Sequence, residues 1–202
     1  MVSRLAHLLV VLRLVSHASA AATTPLPLNM TAISSRGGYS VLECWQLASV
    51  PVDAMSAANY ALGDTTKATW SQIQPRTTVG EAWAPTVQLS IILNGLIRIT
   101  SPAPRAGSAA GMPPNVSAAS MALPDANDGV LEDAGRPDTK VGYIMPGTTK
   151  SSVLIAADLK SISTLAGHYT EFPSDEPTIL VQIPFEGNTV PEHVVLYEGA
   201  CV

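Results

Sequence analysis

A chain of 202 residues has room for one domain and a tail. Hydrophobic residues make up 47% of it, enough for a core, while charged residues are only 13%, low for a cytosolic protein. Its formal net charge is −5, and its lysines and arginines are scattered with no basic stripe, which argues against a nucleic acid or anionic lipid partner.

Residues 1–20 read MVSRLAHLLVVLRLVSHASA. Arg4 precedes an apolar run from Leu5 to Val15, and Ala18-Ser19-Ala20 fits a small-x-small cleavage site. This pattern predicts a secretory signal peptide, with a buried N-terminal helix as the competing reading. The run is too short to span a bilayer, so a secreted, extracellular product with no membrane contact after cleavage is expected. Residues 21–38, rich in Ala, Thr, Pro, Ser and Gly, read as an extended leader before a domain over 39–202.

YSVLECWQLA (39–48) alternates and carries β-formers, so it predicts a strand. KATWSQIQP (67–75) alternates as well and stops at Pro75. TVQLSIILN (86–94) puts Val87, Leu89 and Ile91 on one face and Gln88, Ser90 and Ile92 on the other. Asn94-Gly95 is a tight-turn signal, and GLIRIT (95–100) follows, so the two segments predict a hairpin. Residues 101–140 are dense in Pro, Gly, Ala, Ser and Asp without a sustained period, and read as a long disordered insertion.

Beyond it, VGYIMPGTTK (141–150) and SSVLIAADLK (151–160) are strand-like, while 162–176 reads as a turn-like segment around Gly167-His168. TILVQIPFEG (178–187) and EHVVLYEGAC (192–201) are the last two strands. The only helical signal is one turn near Asp158 to Thr164. Many short strands with Gly and Pro turns predict an all-β sandwich or barrel.

Cys44 and Cys201 are the two cysteines. In an oxidising compartment they are most simply one disulfide, with two unpaired thiols as the alternative. Asn29-Met30-Thr31 and Asn115-Val116-Ser117 are sequons in loop-like surroundings, so Asn29 and Asn115 are expected to carry glycans. Ser151-Ser152 lacks a nucleophile-elbow pattern and a paired His. No phosphate loop, dinucleotide fingerprint or zinc-ribbon spacing is present, and no cofactor is expected.

The segment EAWAPTVQLSIILNG (81–95) resembles the first motif of cupins, which are double-stranded β-helix, jelly-roll barrel proteins. That motif has two His separated by one residue, then an acidic residue, then a Gly seven positions on. Gly95 takes the Gly position, Gln88 the acidic one, and Glu81 and Trp83 the two His positions; His168 in AGHYTEFP matches the second-motif His. The segments YSVLECWQL, APTVQLSIILNGLIRIT, VLIAADLKSISTLAGHYTEFPSDEPTILVQIP and VPEHVVLYEGAC resemble a narrower group, small secreted cupin-like proteins of fungi. In that group a His commonly precedes the Asn-Ala-Pro turn, which here reads Glu81-Ala82-Trp83-Ala84-Pro85.

The resemblance implies a cupin-like jelly roll with a pocket. A metal site needs three or four converging N or O donors. Trp83 has no lone pair to offer and Gln88 is a weak donor, so Glu81 and His168 fall short of that count and no tightly bound metal is expected. Three functions stay open. Trp83, Gln88 and Tyr169, with Glu81 and His168, line a small-molecule pocket. Alternatively Glu81 and His168 act as acid and base of a metal-independent isomerase or lyase, with Tyr169 sharing the pocket if its segment is a turn. The third reading is a wall or host-surface interaction protein whose cavity is packed solid. A homodimer is a further implication of the resemblance.

Overall fold

The computed structural model describes residues 27–54, 57–105 and 135–202. The expected signal peptide, the sequon Asn115 and residues 106–134 of the expected insertion lie outside them. The elements in chain order are β1 (Asn29–Arg36), β2 (Tyr39–Leu47), β3 (Val52–Ala54), β4 (Ala57–Asn59), β5 (Thr69–Ile73), β6 (Thr77–Ala82), β7 (Gln88–Asn94), β8 (Ile97–Ser101) and β9 (Lys140–Ile144). They continue with α1 (Thr149–Ser152), β10 (Val153–Ala156), β11 (His168–Phe172), β12 (Thr178–Pro184), a 3-10 turn at Glu186–Asn188, and β13 (His193–Glu198).

Seven strands form one sheet in the order β13-β2-β1-β10-β7-β12-β5, and four form a second in the order β6-β11-β8-β9. The protein is all-β, and among the described residues no barrel closes: β3 and β4 make a separate small hairpin. Within the larger sheet β1 runs parallel to β10, Ala32 opposite Ile155, and the other ladders are antiparallel.

Two cores follow from the pleat, because successive side chains leave opposite faces of a strand. Ile33, Leu42, Ile92, Leu154 and Leu180 pack with Ile97, Ile99, Ile144 and Phe172 between the sheets. Met30, Ala32, Trp45, Leu89 and Ile155 form the second cluster on the outer face of the larger sheet, with Phe185. The central strands are therefore buried on both faces. This explains β1, whose residues 29–36 the sequence reading assigns to a leader. NMTAISSR shows no apolar/polar alternation because both faces of its Met30–Ile33 stretch are buried. Asn29 accordingly begins a strand and not a loop, and its Oδ1 accepts from Gln46 Nε2 at 3.3 Å.

The expected hairpin at Asn94-Gly95 is not one. β7 is already paired on both edges, by β10 and by β12. It has no free edge for β8, which instead joins the second sheet between β11 and β9. The turn is a corner between layers. Asn94 Nδ2 donates to Pro177 O at 2.8 Å. Gly95 has φ +80°, and a Cβ there would lie 2.4 Å from Thr178 Oγ1, so the corner closes only on glycine.

The 162–176 segment also differs from its turn-like expectation, because residues 168–172 form β11. A turn does lie in 158–164, where the N–H groups of Ile162 and Ser163 both donate to Leu159 O. Cys44 and Cys201 form the expected disulfide, 157 residues apart in sequence. Among the described residues no helix is long and apolar enough to cross a membrane.

Candidate functional site between the sheets

The site grows out of two strands that face each other. On β7, Gln88 and Ser90 point inward between the layers, as their alternation with Val87 and Leu89 requires. On β11, His168, Thr170 and Phe172 do the same. Between them lies a cavity of about 150 Å³, walled by apolar side chains such as Ile99 and Leu154, with Trp83 at one end. Trp83 and Gln182 are only half-buried and Pro85 is exposed, which puts the mouth on their side.

His168 is held from behind. Its Nδ1 lies 2.6 Å from Asp158 Oδ2, and Asp158 is completely buried. Ser40 Oγ donates to the same carboxylate oxygen at 2.5 Å, and the Ala84 N–H reaches the other at 3.3 Å. A buried carboxylate persists only with such donors around it. With Ser40 and Ala84 donating, the carboxylate takes the proton of His168 Nδ1 as its third hydrogen bond. With Nδ1 as the donor, Nε2 is the ring nitrogen left to meet a ligand in the cavity that His168 lines.

The two amides that line the cavity are also oriented. Gln88 Oε1 accepts from Thr86 Oγ1 at 3.4 Å, and Gln182 Oε1 accepts from Ser71 Oγ at 3.2 Å. Each contact holds one amide beside the cavity, where its N–H groups can donate. Gln182 pairs with Ser90 across the ladder and Pro184 with Gln88, which makes the two glutamines diagonal neighbours on one face. Trp83 is fixed through its indole N–H, which donates to Ser163 O at 2.8 Å. Gly167 packs beneath it, where a Cβ would come within 2.8 Å of the indole. Lys160 Nζ sits 4.6 Å from the ring centroid.

The structure thus brings Trp83, Gln88 and His168 to one cavity and leaves out Glu81 and Tyr169. In the β6–β11 ladder Tyr169 is opposite Glu81 and His168 opposite Ala82. Directly opposed residues share a face, and neighbours along a strand do not. Glu81 and Tyr169 therefore point away from the face that holds His168. The expected Glu81–His168 acid/base pair is not formed, and Tyr169 does not enter the pocket, because its segment is a strand. Glu81 is exposed and its Oε1 accepts from the Gly167 N–H at 2.9 Å. It borders a separate polar hollow with Arg105 and Arg136.

The cupin resemblance implies a metal, and the residues present do not fit one. Glu81 faces away, the Trp83 nitrogen is a donor already in use, and His168 Nδ1 is bonded to Asp158. Among the described residues no group of three or more His, Cys, Asp or Glu side chains is placed to hold an ion.

Sequence reasoning missed Asp158, Ser40 and Gln182. Asp158 was detectable: it follows the buried run VLIAA, and a carboxylate carried inward at such a position needs a partner. Two polar residues outside the cavity have structural roles. His193 stacks on Trp45 with centroids 3.5 Å apart, and Glu171 pairs with Arg98. No family model matches the chain, and neither characterised proteins nor solved structures give a significant match to it.

Proposed function

We propose that this protein is a secreted, cupin-like jelly-roll glycoprotein that binds a small molecule in the cavity between its sheets, without a tightly bound metal. One observation carries the reading. Two amides, each pinned through its oxygen, and one imidazole pinned through Nδ1 converge on an otherwise apolar cavity. Apolar walls with a few oriented polar groups are the usual make-up of a ligand site. A volume of about 150 Å³ suits a benzene-sized ring. The open space weighs against a purely surface role with a solid interior.

The donors select the ligand class. Two amide N–H groups favour a carbonyl oxygen, and a neutral imidazole nitrogen favours a proton-bearing atom next to it. The disulfide supports an oxidising compartment. A second copy, implied by the resemblance, has a natural edge in β13, the outermost strand of its sheet, where Val194 to Tyr197 are all exposed.

Ligand-observed NMR with small cyclic ketones tests the binding reading, and metal analysis tests the rest. Saturating ketone binding that competes with ring hydrocarbons is expected. Stoichiometric Fe, Mn, Cu or Zn in the purified protein, or no ketone binding, would defeat it.

A further inference from the structure

We infer that the cavity is a proton-transfer site, with His168 as general base, for small enolisable carbonyl compounds. The inference rests on the binding reading above and extends it to catalysis. The geometry differs from the Glu81–His168 pair expected from sequence, since the partner of the imidazole is Asp158 and the acid and base are one residue.

Three features of the dyad suit it to this role. Asp158 is completely buried and bonded on both oxygens, so its position is fixed. It holds the imidazole in the tautomer whose Nε2 accepts a proton, and it stabilises the imidazolium that results. Ser40 on β2 contributes a hydrogen bond to the same carboxylate from 118 residues away in sequence. Such a network, nearly closed to water, exceeds what is needed to satisfy one interior histidine. The half-buried His193, by contrast, bonds only to a backbone carbonyl, Pro191 O at 2.7 Å.

The amides complete the chemistry. Gln88 and Gln182 line the same cavity as His168, so their N–H groups can donate to the negative charge that develops on a carbonyl oxygen bound there, and such preorganised donors are a strong electrostatic aid to enolate formation. For a β,γ-unsaturated ketone the step balances without any co-reactant. His168 Nε2 takes the proton from the carbon between the carbonyl and the alkene. The C–H electron pair becomes a C=C bond to the carbonyl carbon, and the carbonyl π pair moves onto oxygen, giving a dienolate hydrogen-bonded to the amides. The imidazolium returns the same proton to the γ carbon, the carbonyl re-forms, and the alkene ends conjugated with it. Nothing is oxidised or reduced, and His168 finishes neutral.

The test uses cyclohex-3-enone as substrate and cyclohexanone as a binding probe, with the disulfide-intact protein. Conjugation is followed by ultraviolet absorbance, and deuterium uptake at the α carbon by NMR in D₂O. Wild-type protein is expected to convert the enone well above the buffer rate. His168→Gln should lose about 100-fold or more in kcat, far beyond any change it makes in cyclohexanone affinity. Asp158→Asn, a positioning change, should lower kcat with KM nearly unmoved. Should that variant fail to fold, Ser40→Ala probes the same network and should lower kcat in the same way. Cyclohexanone binding without conversion or deuterium uptake overturns the inference and leaves the binding reading intact, as does His168→Gln turning over at the wild-type rate. Absence of both binding and turnover overturns the two together.

Discussion

His168 Nδ1 and Asp158 Oδ2 are 2.6 Å apart, although the two residues belong to different layers of the fold. Asp158 follows β10 in the larger sheet and His168 begins β11 in the smaller one. The contact bolts the two sheets together at the end of the cavity where Trp83 sits. A structural test of this contact comes first. Asp158→Ala strands the Ser40 hydroxyl, the Ala84 N–H and the His168 ring at once. The expected loss is about 3–5 kcal/mol of unfolding free energy, read by urea denaturation. Asp158→Asn keeps an acceptor and should lose less.

The amide orientation predicts a selective effect on binding. Gln88→Leu and Gln182→Leu each remove one donor from the cavity while adding apolar surface. Each should weaken cyclohexanone about 3- to 10-fold, the worth of a neutral hydrogen bond. Cyclohexane should bind at least as well as before. Titration by NMR checks both, and equal losses for ketone and hydrocarbon would mean that the amides shape the cavity without reading the carbonyl.

Reduction of the disulfide should be costly. The bond spans 157 residues, and closing a loop of that length restricts the unfolded chain by about 4–5 kcal/mol in the chain-entropy model. A paired Cys44→Ser, Cys201→Ser variant should show that loss in chemical denaturation. Adding reductant to the wild type should reproduce it.

Acid sensitivity should centre on Glu43. Burial pushes its carboxyl up, but hydrogen bonds from Ser34, Trp45 and Arg36 outweigh burial and hold it below its ordinary value of 4.5. Because the folded value is depressed, the stabilisation is complete above the unfolded pKa. It drains away as pH falls through the folded one. Stability should therefore fall on the acid side of about pH 4.5, and Glu43→Gln should flatten that limb of a stability-against-pH curve. A variant limb as steep as the wild type's would assign acid denaturation to other carboxylates.

Gly95→Ala tests the corner between the layers. The φ of +80° disfavours any side chain, and the added Cβ would lie 2.4 Å from Thr178 Oγ1 and 2.8 Å from Thr178 Cα. Both effects destabilise, together by about 2–4 kcal/mol, measurable by thermal or urea unfolding.

The sequence was readable where one face of a strand differs from the other. The alternation in TVQLSIILN separated Gln88, Ser90 and Ile92 from Val87, Leu89 and Ile91, and the structure puts the first set toward the cavity and the second toward the outer core. It was unreadable in β1, where small polar and apolar residues mix along a run buried on both faces. Asn94-Gly95 illustrates a different limit. A tight-turn signature reports the local backbone, whereas pairing depends on which edges are already occupied, and both edges of β7 are. Likewise nothing local tells Glu81 from Trp83 as a pocket residue. That depends on the register of β6 against β11, set by residues more than eighty positions apart.

The strand order has one further effect. In the smaller sheet, β6 and β8 precede residue 105 and β11 and β9 follow residue 135, so the two parts of the chain alternate like the fingers of clasped hands. The larger sheet mixes them too, and Cys44–Cys201 joins them covalently. A protease that cut between Arg105 and Gly135 would leave its product at the size of the uncut protein. The nick would show only after unfolding in the presence of a thiol.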